Sequence, residues 1–196
     1  MTEERKTEVL KTVEDVFQKY NINKTPYKFI EIVCNDENIS LLPVEKFSNQ
    51  IEGWIQNIDG HYDIMFNPNK MMERQHFTLA HELGHYFLNH IKTGQNLFDN
   101  EDSLNEKTKD IEIEANYFAV NFLLPKKLIE KDFVRIITYS KRIKTREIPV
   151  PISGNGHQFS DWKIISTELC KKYKVSSEFL CFRLESLYLI DNQLYN

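Results

Sequence analysis

The chain has 196 residues, of which 41% are hydrophobic and 28% are charged, a balance typical of a folded protein with one main domain. Its net charge of −4 excludes a protein that binds nucleic acid mainly through a positive field of its own. The N-terminus is charged and carries no apolar signal segment, and no run is long and apolar enough to span a membrane. A cytoplasmic protein without a membrane partner is therefore expected.

The first 36 residues predict two helices. Apolar side chains between Thr7 and Tyr20 recur at spacings of three and four, which is the period of an amphipathic helix. A second, short helix is expected from Tyr27 to Asp36, after the candidate cap Thr25 and a proline at its first position. Its β-branched residues leave a strand as the alternative.

Residues 39–66 predict a small sheet of about three strands. Ile39–Val44 indicates an edge strand, because Pro43 cannot donate a ladder hydrogen bond. The runs Ile51–Ile58 and Tyr62–Phe66 are separated by Asp59-Gly60, a dipeptide typical of a hairpin turn. An exposed strand here could hold an extended peptide by strand addition, and a sheet that only covers the next helix is the alternative.

The next predicted helix runs from a cap at Asn69 to about residue 89 and contains an H-E-x-x-H motif over His81–His85. Histidines four residues apart lie on one helical face, so both imidazoles can reach a single ion. Glu82 points to the side of that face, where a base can act on a water molecule beside a catalytic zinc ion. The motif therefore predicts His81 and His85 as zinc ligands and Glu82 as the catalytic base.

A later helix, predicted from Lys109 to Leu124, supplies a candidate third ligand. Glu112 and Asn116 share one face of it, and the small residues beside them permit close packing against Gly84. Glu112 is thus predicted as an oxygen ligand and Asn116 as a hydrogen-bond partner of a ligand. A solvated helix carboxylate is the alternative for Glu112. Glu114, on nearly the opposite side, is expected at the surface.

The remaining chain predicts loops and helices. The polar stretch 92–107 indicates a surface loop or a mobile flap. Helices are expected over Lys126–Tyr139, over Asp161–Tyr173 and after a serine cap within the stretch Val175-Ser176-Ser177-Glu178. The last two have a helix-turn-helix outline, but Arg183 is the single basic residue of the second, so packing is favoured over DNA binding. The predicted organisation is a domain over 1–140, a loop over 141–160 and a C-terminal helical extension over 161–196.

Two of these segments, Arg74–His85 and Glu112–Pro125, resemble the ImmA/IrrE-type metallopeptidases. The resemblance covers roughly residues 40 to 190 and implies an α+β fold, a mostly helical zincin-like domain with the small sheet packed on the H-E-x-x-H helix. It also implies a gluzincin-like site, in which His81, His85 and Glu112 bind Zn²⁺ and Glu82 is the catalytic acid/base.

The resemblance further implies an endopeptidase that cuts a helix-turn-helix transcriptional repressor and so relieves repression. A non-proteolytic protein that sequesters a DNA-binding regulator is the alternative. His76 stands where an arginine is common in the family, and this departure leaves the choice of target open. Candidates for an oxyanion donor are Tyr86, Tyr117 and His90, each of which is more simply explained as a packing or surface residue.

Overall fold

The computed structural model describes residues 1–45, 52–92, 106–152 and 156–192, and the chain divides into two compact units. Unit 1 is Met1–Leu123 and unit 2 is Leu124–Asn196. Unit 1 contains, in chain order, α1 (Glu3–Lys19), a 3₁₀ helix (Pro26–Phe29), α2 (Ile30–Asp36), β1 (Ile39–Pro43), β2 (Gly53–Ile58), β3 (His61–Phe66), α3 (Met72–Phe87) and α4 (Glu106–Leu123). Unit 2 contains α5 (Lys126–Tyr139), β4 (Val150–Ile152), α6 (Gly156–Tyr173), α7 (Ser177–Ser186) and β5 (Ile190–Asn192). The predicted α+β class is confirmed, whereas the predicted domain division stays a prediction.

Unit 1 is built around α3, which packs against the sheet on one side and against α4 on another. The middle of α3 is almost entirely buried, as its apolar surface predicts. The predicted cap at Asn69 is wrong, because the helix begins at Met72 after an N-cap residue, Met71, that makes no side-chain cap. Asn69 instead lies in a turn, where its N–H donates to Asn67 Oδ1 at 2.9 Å.

The sheet of unit 1 has the strand order β1-β3-β2. Strand β2 is antiparallel to β3 and joined to it by the predicted hairpin. Asp59 and Gly60 have φ of 52° and 88°, the left-handed conformation that a type I′ turn requires at both central residues. Strand β1 pairs with β3 in parallel and lies at an edge, in agreement with Pro43. Strand β2 forms the other edge and packs on α3.

Unit 2 has a core of its own, formed by α5, α6, α7 and a parallel pair of short strands, β4 and β5. The strand pair was not predicted, because three residues give no periodicity that can be recognised. Strand β4 and the first residues of α6 lie inside the stretch 141–160 that was predicted as a loop. Asp161 is fully buried and accepts hydrogen bonds from the backbone N–H groups of Lys144 and Thr145, at 3.1 and 2.9 Å.

The single basic residue of α7 points inward. Arg183 is 7% exposed, and its Nε donates to the carbonyl oxygen of Leu124 at 3.0 Å. The cation that a recognition helix would turn toward a phosphate is therefore used within unit 2. The predicted serine cap of α7 is Ser176, whose hydroxyl accepts from the Phe179 N–H at 3.1 Å.

Among the described residues, no helix combines the length and the apolar character needed to cross a membrane. The predicted loop or flap over 92–107 falls mostly on residues outside the described ranges.

Candidate metal centre

Three ligand atoms from α3 and α4 converge on one point. His81 Nε2 lies 3.0 Å from His85 Nε2. Glu112 places Oε2 3.2 Å from His81 Nε2 and Oε1 3.4 Å from His85 Nε2. Among the described residues these three form the one group of histidines, cysteines and carboxylates with metal-binding geometry.

The spacing and chemistry of these atoms fit a zinc ion. Ligand atoms around a tetrahedral cation with bonds of about 2.0–2.1 Å lie about 3.3 Å apart, which is close to the separations found here. Two nitrogens and a carboxylate are the donors of catalytic zinc sites, which keep the fourth position open. Calcium and magnesium prefer oxygen ligands alone. The donor set therefore favours a catalytic transition-metal site over a structural one.

Close packing of the two helices at Gly84 brings Glu112 to the histidines. A Cβ atom at Gly84 would lie 3.1 Å from both Cα and O of Ala115 and 3.2 Å from Cβ of Phe118. Most of these neighbours are backbone or backbone-proximal atoms of α4, so they can yield only if the helix shifts. Glycine is required here by the approach of α4, and the position of Glu112 depends on it.

Gly84→Val is expected to lower the zinc affinity at least tenfold and to destabilise the protein by about 1–3 kcal/mol, because the added methyl groups push α4 away from α3. Gly84→Ala should also lower zinc affinity and stability, but with a smaller loss of stability, since the gain in helix propensity of about 1 kcal/mol offsets part of the strain. Chelator competition and thermal unfolding measure the two quantities. A valine variant with wild-type zinc affinity would contradict this account of the packing.

The three ligands have different proton affinities. Burial lowers the pKa of His85 to about 4, and the neighbouring His81 adds to this, although Glu112 opposes it. For His81, burial also disfavours the charged form, but the hydrogen bond to Glu112 and the charges of Glu82 and Glu112 outweigh it and raise the pKa. Burial disfavours the ionised form of Glu112, yet the two histidines hold its pKa well below the usual range. A single proton, on His81, is thus the main competitor of a metal ion.

Zinc affinity is expected to fall as the pH falls through the raised pKa of His81, by about tenfold per pH unit once that imidazole is protonated. The sign follows because the proton and the metal compete for Nε2, so affinity is highest above that pKa. The decline should steepen only near pH 4, where His85 also takes up a proton. Titration in a Glu82→Gln background removes the contribution of that carboxyl group. A loss of two protons per metal already at pH 6 would contradict the assignment.

Glu82 is buried beside the ligands but is not one of them. It is 5% exposed and accepts a hydrogen bond from the backbone N–H of Ile55 in β2. Burial raises its pKa to about 7, with the charge of Glu112 acting in the same direction, whereas His81 and the Ile55 N–H favour ionisation. A nearby cation would lower this pKa and leave a carboxylate at neutral pH. The group is therefore placed to accept a proton.

The hydrogen bonds of the two imidazoles extend away from the ligand atoms. His81 Nδ1 contacts Asn116 Oδ1 at 3.0 Å, so Asn116 lies where the sequence predicts it. His85 Nδ1 contacts Nδ1 of His90 at 3.0 Å, and His90 Nε2 contacts Glu114 Oε2 at 3.0 Å. The roles of the site residues stay predictions, but the structure brings all five of His81, Glu82, His85, Glu112 and Asn116 together.

The expectation that Glu114 lies at the surface is wrong, because its side chain is 12% exposed. His90 is a packing residue, one of the two explanations expected for it, since its side chain is 4% exposed and contacts the ligand residue His85. The contact with His85 was not predicted, although Asn89 carried a signal, since an asparagine can end a helix in the left-handed conformation and turn the next residue back. Tyr86 donates its hydroxyl to Glu37 Oε2 at 3.0 Å, which argues against its service as an oxyanion donor.

Together, the helical fold with its small sheet and the His-His-Glu centre define a metallopeptidase-like protein. The peptidase family described as the IrrE N-terminal-like domain matches residues 34–185, and the chain belongs to that family. The suspected family is thereby confirmed.

Comparison with solved structures supports the fold. The chain is similar to a Mycobacterium tuberculosis transcriptional regulator, with a TM-score of 0.53 and 14% sequence identity. The similarity covers 91% of this chain and 47% of that one, so the chain spans about half the length of the regulator. At this identity the likeness concerns the fold alone. No curated protein matches the chain.

Proposed function

We propose that the chain is a zinc-dependent endopeptidase. The observation that carries this proposal is the placement of a buried carboxylate, Glu82, directly beside three convergent ligand atoms of His81, His85 and Glu112. A protein that only binds a partner has no use for a base at that position. Membership of a peptidase family supports the same conclusion.

The chemistry of each residue indicates a separate role in metal binding, proton transfer or ligand orientation. His81, His85 and Glu112 would hold a zinc ion through two imidazole nitrogens and a carboxylate, the donors of a catalytic site. When bound, zinc polarises the scissile carbonyl and lowers the pKa of water toward neutrality. Glu82 accepts a proton from the attacking water molecule at its carboxylate and delivers it to the amine leaving group. Asn116 accepts from His81 Nδ1 and so keeps Nε2 of that ring unprotonated and aimed at the ion.

The substrate is proposed to bind as an extended segment along β2. This strand lies at an edge of its sheet, and the Ile55 N–H is directed to Glu82 instead of into the sheet ladder. An extended peptide at that edge would pass the base and gain main-chain hydrogen bonds. The side chain of Glu112 is 41% exposed and that of His81 15%, so the centre is accessible from solvent.

We propose a helix-turn-helix transcriptional repressor as the substrate class, with cleavage relieving repression. The proposal is supported by the resemblance of the two site segments to regulatory metallopeptidases. Sequestration of such a regulator without cleavage is the rival function, and the presence of Glu82 is the feature that disfavours it. The protein is proposed to act in the cytoplasm, where a DNA-binding substrate would be found.

The proposal is tested by first identifying the reading frame adjacent to this one, then incubating a helix-turn-helix regulator found there with the purified zinc-loaded chain and analysing the products by intact-mass spectrometry. Two fragments whose masses sum to that of the regulator plus one water are the expected result. Removal of zinc by a chelator should stop the reaction, and added zinc should restore it. A stable complex with the regulator intact, together with relief of repression, would support sequestration and overturn the peptidase.

A further inference from the structure

We propose that Arg5, Glu114 and His90 form a hydrogen-bonded relay that holds His85 in its metal-binding tautomer, which makes α1 a part of the metal centre. The inference rests on the proposed zinc site and assigns positioning residues to it. It also assigns a role to α1, which lies outside the residues that match the family.

The contacts form one continuous chain from the ligand to α1. His85 Nδ1 lies 3.0 Å from His90 Nδ1, and His90 Nε2 lies 3.0 Å from Glu114 Oε2. The same oxygen of Glu114 accepts from Arg5 at 2.6 Å. The side chains of His85, His90 and Glu114 are 1%, 4% and 12% exposed, so water competes little for these bonds.

The donor and acceptor of each hydrogen bond can be assigned by starting from Arg5, the end of the relay that is always protonated. Arg5 cannot lose its proton, and its guanidinium keeps Glu114 ionised and therefore an acceptor only. The proton between Glu114 and His90 must then belong to His90 Nε2. A neutral imidazole has one N–H, so His90 Nδ1 is an acceptor and His85 Nδ1 must donate to it. The lone pair of His85 is left on Nε2, the atom that faces His81 and Glu112.

The backbone places His90 for this contact through the C-terminal cap of α3. The N–H of Asn89 donates to Tyr86 O at 3.1 Å and the N–H of His90 to His85 O at 3.0 Å. Asn89 has φ of 56°, so the turn is a Schellman motif with Asn89 in the left-handed position. This motif folds the chain back onto the last turn of α3 and brings the His90 ring against that of His85, with the two ring planes at 70° to each other.

The two ligand histidines are thus held in different ways. His81 is oriented by a neutral amide on an exposed residue, Asn116. His85 is oriented by a buried imidazole that is itself fixed by an ion pair between α4 and α1. Outer hydrogen-bond partners of metal ligands typically account for about 10–100-fold in metal affinity. The ion pair of Arg5 with Glu114 therefore has a measurable consequence at the metal.

The first test compares two substitutions that remove a carboxylate bound to Arg5. Glu8 pairs with Arg5 Nη1 at 2.6 Å and lies on α1, whereas Glu114 pairs both with Arg5 Nη2 and with His90. Glu114→Gln is expected to weaken zinc binding by about tenfold in chelator competition, and Glu8→Gln to leave it unchanged. Thermal unfolding of both chelated variants reports any general loss of stability.

The second test separates the acceptor at His90 from its bulk. His90→Leu is expected to weaken zinc binding by about 10–100-fold. His90→Asn retains an acceptor where Nδ1 stood and should restore most of that loss. Long-range ¹H–¹⁵N spectra of the zinc-loaded wild type provide a reading that needs no variant, with protons expected on His90 Nε2 and His85 Nδ1.

The relay is overturned if Glu114→Gln and His90→Leu bind zinc as the wild type does, or if the spectra place the His90 proton on Nδ1. Should the leucine variant fail to fold, the glutamine pair and the spectra still decide. Failure of the wild type to bind zinc would overturn the proposed function itself. If the wild type binds zinc and the variants bind it with the same affinity, the relay is overturned and the proposed function is not.

Discussion

Glu82→Gln is expected to retain zinc and to lose peptide hydrolysis by about 10²–10⁴-fold, the usual contribution of a general acid–base group. Glutamine has nearly the same shape and can still accept the hydrogen bond from the Ile55 N–H, so β2 and α3 should keep their packing. It cannot take up the proton of the attacking water. The substitution therefore removes the proton transfer and leaves the ligands in place.

Three measurements establish this result. Metal analysis should give the same zinc content as in the wild type, and thermal unfolding should show a folded variant. Intact-mass analysis of the regulator should show no fragments on the time scale of wild-type cleavage. Retained cleavage by a folded, zinc-loaded variant would exclude Glu82 as the base. Capture of the uncut regulator by this variant would also provide the enzyme–substrate complex for mapping the segment bound along β2.

Glu112→Gln is expected to lower zinc affinity by at least about 100-fold, more than the 10–100-fold loss typical of a ligand's outer partner. The carboxylate supplies the single negative charge among the three ligand residues and bridges both histidines, at 3.2 and 3.4 Å. A neutral amide offers a weaker donor and no compensation for the charge of the ion. Hydrolysis should fall in parallel with zinc content.

Asp110→Asn is the matched control, because it removes a carboxylate from an exposed position of the same helix, two residues earlier. It is expected to bind zinc as the wild type does. Chelator competition measures both variants under one condition. If both variants lost zinc affinity equally, the loss would be due to a general change in α4 and not to the missing Glu112 carboxylate. A Glu112→Gln protein with full zinc content would remove Glu112 from the ligand set.

The largest differences between expectation and structure concern residues next to the site. Glu114 was expected at the surface because it points away from Glu112 on an isolated helix. Its side chain is only 12% exposed because α1 covers that side of α4 and supplies Arg5 as its counterion. Whether a helical face is exposed or buried depends on which element packs against it, and Arg5 is 109 positions away from Glu114 in the sequence.

The strand arrangement has a similar explanation. The hairpin of β2 and β3 was predicted because its turn is local, with two residues in the left-handed conformation. The parallel pairing of β1 with β3, and the pairing of β4 with β5, join segments that are distant in the sequence. The partner of a strand at such a distance has no local signal. The edge position of β2, on which the proposed substrate site depends, therefore came from the structure.

The sequence by itself determined the parts of this protein that depend on spacing within one helix. The spacing of His81 and His85 places two imidazoles on one face, and it places Glu82 at the side of that face, because the helical period is set by the backbone. The sequence also predicted Glu112 as the third ligand, through close packing at Gly84. Tertiary structure alone showed that this packing brings the carboxylate to 3.2 and 3.4 Å from the two imidazole nitrogens, and that the cap at Asn89 turns His90 onto His85. Both contacts depend on packing between helices or on chain reversal, which the periodicity of a single helix does not encode.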